Sequence, residues 1–462
     1  MMKISLSLFL AVFILGSLTT PLLGAPPPSV VAASPDHGET VPSNLKKIRL
    51  EFDRNMAGGV SFMRWRGLPF PKAQGQPRWI TPRICEFAIA LKPDTIYGFC
   101  LNSPRQGRGK FMSKEGERLP WYPIVFRTAG ETSAKPLTRQ QNRESLKVFR
   151  EAIAHRYSHR DRVVKDWDAL FEKYQDELLA ADTPFRFAAL AGRLLASAED
   201  LHVVTKAEGF TFTSTARDLP PDWNFAAFAG TMKDLKQRSN ECFSGRIVQR
   251  GLPEPGVGYI CIASWEKEKE AAIRPAFAAL DELMDCPNLI IDIRPNSGGS
   301  EFIARQFAGR FITQPVVYAK HLWIEPGTKN PGLPEGFTGP HERTLQPNKH
   351  GKPYPGRVFV LMGRHCMSSA EGFLQMMQQA PKATLIGRPS WGCGGNPGPV
   401  ELPNGVTLML SRWRALTLEG AYYEGKGLTP DVTVACTEAD FQKNDPILKR
   451  ALNLIIMSSG PG

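Results

Sequence analysis

The chain has 462 residues, 42% of them hydrophobic, enough for several packed cores and for more than one domain. A formal charge of +12 comes from 57 Lys and Arg against 45 Asp and Glu. The basic residues are scattered rather than stacked into runs with interleaved aromatics, which argues for solvated faces and against nucleic-acid binding.

The start, Met1-Met2-Lys3 followed by the apolar Ile4–Leu18, reads as a signal peptide whose apolar run is too short to span a bilayer comfortably. Pro21 and Gly24-Ala25 favour cleavage near residue 25, and no cysteine follows to carry a lipid. An uncleaved anchor is the alternative. The expectation is an exported protein of the periplasm, cell envelope or medium, with no transmembrane span after cleavage. Export makes the eight cysteines potential disulfide partners. Cys85 and Cys100 form one candidate pair, and a bridge at Cys366 and Cys393 would brace the motifs beside them. Buried free thiols are the alternative.

Residues 26–34 are Pro-rich and small, an exposed leader. From Val30 to Thr128 apolar residues alternate, as in Ile48, Leu50, Phe52 and in Cys85, Phe87, Ile89, Leu91, with turn residues between the runs. Gly130–Pro136 is a linker. Three helices follow on the spacings Leu146, Phe149, Ile153, Tyr157; Trp167, Leu170, Phe171, Tyr174, Leu178; and Phe187, Leu190, Leu194, the third opening at Pro184. From Val257 onward short apolar strands alternate with helical segments, the signature of an α/β core. The stretch 294–350 is loop-rich with a helix over 301–311; residues 402–405 make a hairpin turn; a helix over Asp445–Ile456 closes the core.

Chemistry gathers at strand exits. The run Val358–Met362 breaks at Gly363 and leads to Ser368, after which Ala370, Phe373, Leu374 and Met377 keep helical spacing. A serine at a helix start lies beside unpaired N–H groups, as an acyl-transfer nucleophile requires. Ser368-x-x-Glu371 is also a capping box, so a plain helix cap is the competing reading. A nucleophilic serine needs a base, and His202, ending the helical unit, is the sharper candidate; a histidine packed at a domain seam is its bland alternative. The strand Leu289–Ile293 ends in Asn296-Ser297-Gly298-Gly299, where glycines permit close backbone approach or merely a tight turn. Glu424-Gly425-Lys426-Gly427 joins a Gly-rich turn to an edge strand.

In this order the segments over residues 140–456 resemble the carboxyl-terminal-processing (tail-specific) serine peptidases and their tricorn-core and interphotoreceptor retinoid-binding relatives. The carrying motifs are the Asp-x-His element at 200–202, Asp292-Ile293-Arg294-Pro295-Asn296-Ser297-Gly298-Gly299, Ser368 to Glu371, Gly387 to Gly392 and Glu424 to Asp431. The resemblance implies Ser368 as nucleophile, an oxyanion hole from the N–H groups of Ser369 and of Gly298 or Gly299, His202 as general base, and Glu424 as its polar support, with or without an intervening group. Where tail-specific proteases carry the lysine of their Ser/Lys dyad, this chain has Cys393, which excludes that dyad. About 50 residues separate His202 from Val257, too few for the PDZ domain of those proteases. Residues 26–129 resemble bacterial Ig-like domains, implying contact with an envelope or cell-wall component.

The expected architecture is therefore multidomain: signal peptide 1–25, an all-β Ig-like sandwich 26–129, a small helical bundle 137–206 and an α/β Clp/crotonase-like peptidase core 207–462. The expected activity is hydrolysis of peptide or protein substrates through an acyl-enzyme, with no cofactor and no metal. A catalytically silent ligand-binding member of the same fold and an envelope adhesion or scaffold protein are the alternatives.

Overall fold

The computed structural model describes residues 26–65, 67–102, 109–130, 136–213, 222–223, 237–238, 242–247, 256–266 and 270–457. The expected signal peptide and most of the linker lie outside the described residues.

Two β-sheets form the N-terminal unit. Val30–Ser34, Lys47–Phe52 and Ile84–Ala90 pair antiparallel in one, with Lys72–Ala73 and Arg78–Thr81 beside them; Thr40–Val41, Tyr122–Thr128, Ile96–Leu101 and Phe62–Arg64 make the other. Residues 30–34, read as leader, are thus an edge strand paired to Lys47–Phe52. The period of two sends Ile48, Leu50 and Phe52 inward, where they meet Phe99, Ile124 and Phe126 of the facing sheet. Cys85 and Cys100 lie on strands of different sheets and both are free thiols, as are Cys366 and Cys393. The expected bridges are not formed. The sulfurs at the motifs are directed to separate partners, Cys366 to the Ile293 carbonyl and Cys393 to His202.

The helices Arg139–Arg156, Trp167–Ala180 and Pro184–Leu195 start at Thr138, Asp166 and Thr183, each accepting a first-turn N–H on its side chain. Pro184–Leu195 is buried almost all round because it lies between the other helices and a four-stranded sheet. That sheet pairs Val204–Ala207 with Phe210–Thr213 on one side and Thr407–Ser411 on the other, with Pro397–Glu401 beyond. Val400, Leu408 and Leu410 share one core with the helices, so the expected boundary at 206/207 runs through a packed layer.

The central sheet places parallel strands in the order Val257–Ile262, Asn288–Asp292, Arg357–Met362, Ala383–Gly387, Val432–Thr433, with Cys242–Ile247 antiparallel outside the first. Ile260, Leu289, Ile291, Val358 and Val360 face Glu301–Ala308 and Ser369–Gln378; Tyr259, Ile290, Phe359 and Leu361 face Pro446–Met457. Burial on both faces is why these strands read as unbroken apolar runs. The 294–350 stretch is less loop-like than its composition suggests. Val316–Ile324 and Phe337–Leu345 form an antiparallel pair joined to Trp413–Leu416. Their exposed faces carry Lys320, Glu342 and His341, which masked the strand pattern.

Buried Arg294 fixes the strand exit. It donates to Asp292 at 2.9 and 2.5 Å and to Asp445 at 2.7 and 2.8 Å, while Asp445 accepts the Leu448 N–H at 3.0 Å. One guanidinium thereby ties the Asn-Ser-Gly-Gly loop to the start of the final helix.

Candidate active site

The parallel register pairs Asp292 with Leu361, so the loop after one strand and the turn after the next emerge side by side. Cys366 Sγ bonds the Ile293 carbonyl at 3.2 Å and pulls the turn against that neighbour. Ser368 then adopts φ 54°, ψ −126°, a region costly for any residue with a Cβ. Its side chain makes no capping hydrogen bond to the helix, so the capping-box reading does not describe it. Ser368 Oγ instead lies 3.1 Å from His202 Nε2.

The strand Val204–Ala207, paired to Thr407–Ser411, carries His202 to that position. Asp200, fully buried, accepts the His202 backbone N–H at 2.8 Å and the Ser411 hydroxyl at 2.8 Å. Its Oδ1 is 3.9 Å from His202 Nδ1, within range of electrostatic attraction but beyond a hydrogen bond. Cys393 Sγ is 3.1 Å from the same nitrogen. Burial lowers the His202 pKa and Asp200 partly opposes that, so the ring is neutral at neutral pH.

Glu424 does not reach His202. It accepts the Gly394 N–H at 2.8 Å, and its Oε2 is 3.7 Å from Nε2 of buried His159. Burial and the Asp200 charge push Glu424 well above the usual carboxylate range, leaving it protonated. Burial acts to raise the Asp200 pKa, while positive charge on His159 and His202 and the two donated hydrogen bonds lower it, for a net downward shift. The two buried carboxyl groups behind the histidine are thus shifted in opposite directions. Asp200, the first residue of the Asp-x-His element, receives no role from the sequence, which offers Glu424 as the support of the histidine; the Asp-x-His spacing is the signal that marks it.

On the other side of Ser368, a Cβ on Gly298 would come within 2.8 Å of the Ser368 Cβ, so only glycine allows this approach. The Gly298 N–H is already bonded to Asn296 Oδ1 at 2.9 Å, which removes it as an oxyanion donor. Gly299 remains. Its carbonyl accepts the Ser369 hydroxyl at 2.6 Å, and Ser369 begins the helix Ser369–Gln378, where an N–H has no intrahelical acceptor. Buried Glu371 accepts Ser390 Oγ at 2.6 Å and the N–H groups of Gly392 at 2.6 Å and Cys393 at 2.9 Å, tying the 390–393 loop to the helix after Ser368, whose backbone N–H also acts on the carboxyl. Burial, offset by those donors, pushes it up to about 7.

Among the described residues, two groups of donor atoms converge within 4.8 Å: Asp200, His202 and Cys393, and His159, Asp200 and Glu424. The first is a Cys/His/carboxylate set of the type zinc accepts. The hydrogen bonds above engage its atoms without an ion.

Residues 256–434 match the model of peptidase family S41. The chain is 25% identical over 199 residues to the carboxy-terminal processing protease CtpB of Bacillus subtilis (strain 168), covering 43% of this chain and 38% of that protein. It therefore spans well under half of that curated relative's length. A Parabacteroides merdae crystal structure described as a peptidase superposes with TM-score 0.55 at 25% identity, over 69% of this chain and 97% of that one. Mature CPAF shares the fold at TM-score 0.52 and 12% identity, over 70% and 99%.

Proposed function

We propose, for a chain whose residues 256–434 match the model of peptidase family S41, that it hydrolyses peptide bonds through an acyl-enzyme on Ser368. The observation that carries this reading is the 3.1 Å contact between Ser368 Oγ and His202 Nε2, at general-base distance. As Oγ attacks the scissile carbonyl carbon, its proton passes to Nε2 and the carbonyl electrons move onto oxygen. The Ser369 and Gly299 N–H groups are the donors for that oxyanion. Nε2 returns the proton to the leaving amine as the C–N bond breaks, and water repeats the sequence to release the acid. Asp200 supplies the negative charge that favours the transient imidazolium. Glu424 acts on Asp200 rather than on the histidine.

The remaining parts of the reading are export, an Ig-like docking role for the N-terminal sheets, and substrate entry without a PDZ module. They are supported by the apolar leader, the two-sheet core and the short interval before Val257. Fluorophosphonate labelling tests the chemistry. Wild type is expected to take one adduct, Ser368→Ala none and His202→Ala very little. An unlabelled wild type, or equal labelling of Ser368→Ala, overturns the reading.

A further inference from the structure

The Ser–His reading leaves open what holds the far side of the histidine. For Nε2 to accept the serine proton, the imidazole must carry its own proton on Nδ1 and stay turned toward Ser368. A buried carboxylate usually fixes both. Here Asp200 Oδ1 stands 3.9 Å from Nδ1 and is committed to the His202 backbone N–H, while Oδ2 is committed to Ser411. The hydrogen-bonding atom at Nδ1 is the sulfur of Cys393, at 3.1 Å.

We propose that Cys393 is the positioning residue for His202, its sulfur accepting the Nδ1–H bond that leaves Nε2 free and aimed at Ser368. The inference rests on the Ser368–His202 assignment above. Its support is the way residue 393 is held. The Cys393 carbonyl accepts the backbone N–H of Ser368 itself at 2.8 Å, and the Cys393 N–H donates to Glu371 Oε2 at 2.9 Å. The nucleophile's own backbone thus places the group that orients the base, and the side chain between those anchors is 1% exposed.

The opposite polarity, S–H donating to Nδ1, would put the ring proton on Nε2 and leave the serine unactivated. The Asp200 charge near Nδ1 opposes it, because it favours a proton on that nitrogen. Direction and charge, joined in one carboxylate in a Ser-His-Asp triad, are here divided between Cys393 and Asp200.

The test is nitrogen-15 NMR of histidine-labelled full chain, with His202→Ala assigning the resonance, beside steady-state kinetics. Wild type is expected to show His202 protonated on Nδ1. Cys393→Ala should shift the ring toward the Nε2–H form and lower kcat about tenfold, equivalent to about 1.4 kcal/mol, with KM unchanged. Cys393→Ser, which keeps an acceptor, should recover part of both. A wild-type ring protonated on Nε2, or a Cys393→Ala chain with unaltered tautomer and kcat, overturns the proposal. If Cys393→Ala does not fold, the wild-type spectrum decides alone. A wild type that takes no phosphonate defeats the Ser–His reading instead, and the tautomer is still read independently.

Discussion

Replacing Asp200 by Asn removes a charge while keeping the shape and the oxygen that accepts the His202 N–H. At 3.9 Å from Nδ1, with the effective dielectric of about 20 that suits buried sites, a full carboxylate stabilises an imidazolium by about 4 kcal/mol. That charge exists on the ring only during proton transfer, so the loss falls on kcat and amounts to about three orders of magnitude. KM should change little, because Asp200 is fully buried and out of reach of substrate. Glu424 tempers the effect. The Asp200 charge is one of the causes holding it protonated, so in Asp200→Asn it is freed to ionise and restore part of the field. An Asp200→Asn/Glu424→Gln chain lacks that rescue and should fall below Asp200→Asn. The pH profile carries the sign. Burial lowers the His202 pKa and Asp200 raises it, so Asp200→Asn lowers it further and moves the acid limb of kcat/KM to lower pH. Stopped-flow phosphonate acylation and a peptide-hydrolysis pH series measure both. Rates within threefold of wild type and an unmoved acid limb would refute the electrostatic role.

Ser368→Gly should be more stable than Ser368→Ala by about 1 kcal/mol in urea, the reverse of the usual order, because a Cβ is strained at φ 54°, ψ −126°. Ala equal to or above Gly would remove the strain argument. Arg294→Met leaves two buried carboxylates facing one another and should cost about 3–5 kcal/mol by chemical denaturation; a cost below 1 kcal/mol would show that Asp292 and Asp445 find other partners. Glu371 sits at about 7 in the folded chain against an ordinary value of 4.5, so between those pH values the native state holds a proton that the unfolded chain has released. That contribution to stability is complete below about 4.5 and is lost as pH rises through about 7, a fall of about 3 kcal/mol. Glu371→Gln should flatten this part of the stability–pH curve, and an unchanged slope would assign the titration elsewhere.

The parts of the fold visible in sequence were those with one-dimensional causes. Strands buried on both faces, such as Leu289–Ile293 and Val358–Met362, read as apolar runs, and Pro184–Leu195 read as a helix from its spacing and first-turn proline. Val316–Ile324 and Phe337–Leu345 did not, because the pairing of Val316–Ile324 with the distant Trp413–Leu416 has no local signature and charged residues on their exposed faces dilute the pattern. The 206/207 boundary looked natural because Val204–Ala207 follows the helices. Its pairing with Thr407–Ser411, some 200 residues on, has no local signature.

The site divides along the same line. Ser368 announced itself through a strand exit and a helical period, and His202 through its place after the helices. The atoms that decide what His202 can do come from strand register and loop return. Ser411 turns Asp200 away from the ring, and the 390–393 loop, pulled down by Glu371, delivers Cys393 to Nδ1. Spacing placed Cys393 where the resembled proteases carry lysine, and from residue type alone it marked only a lost base. Its position between the Ser368 backbone and the far nitrogen of His202 gives the substitution a different consequence: the base changes from an amine to an imidazole, and the residue at 393 orients the base rather than acting as one.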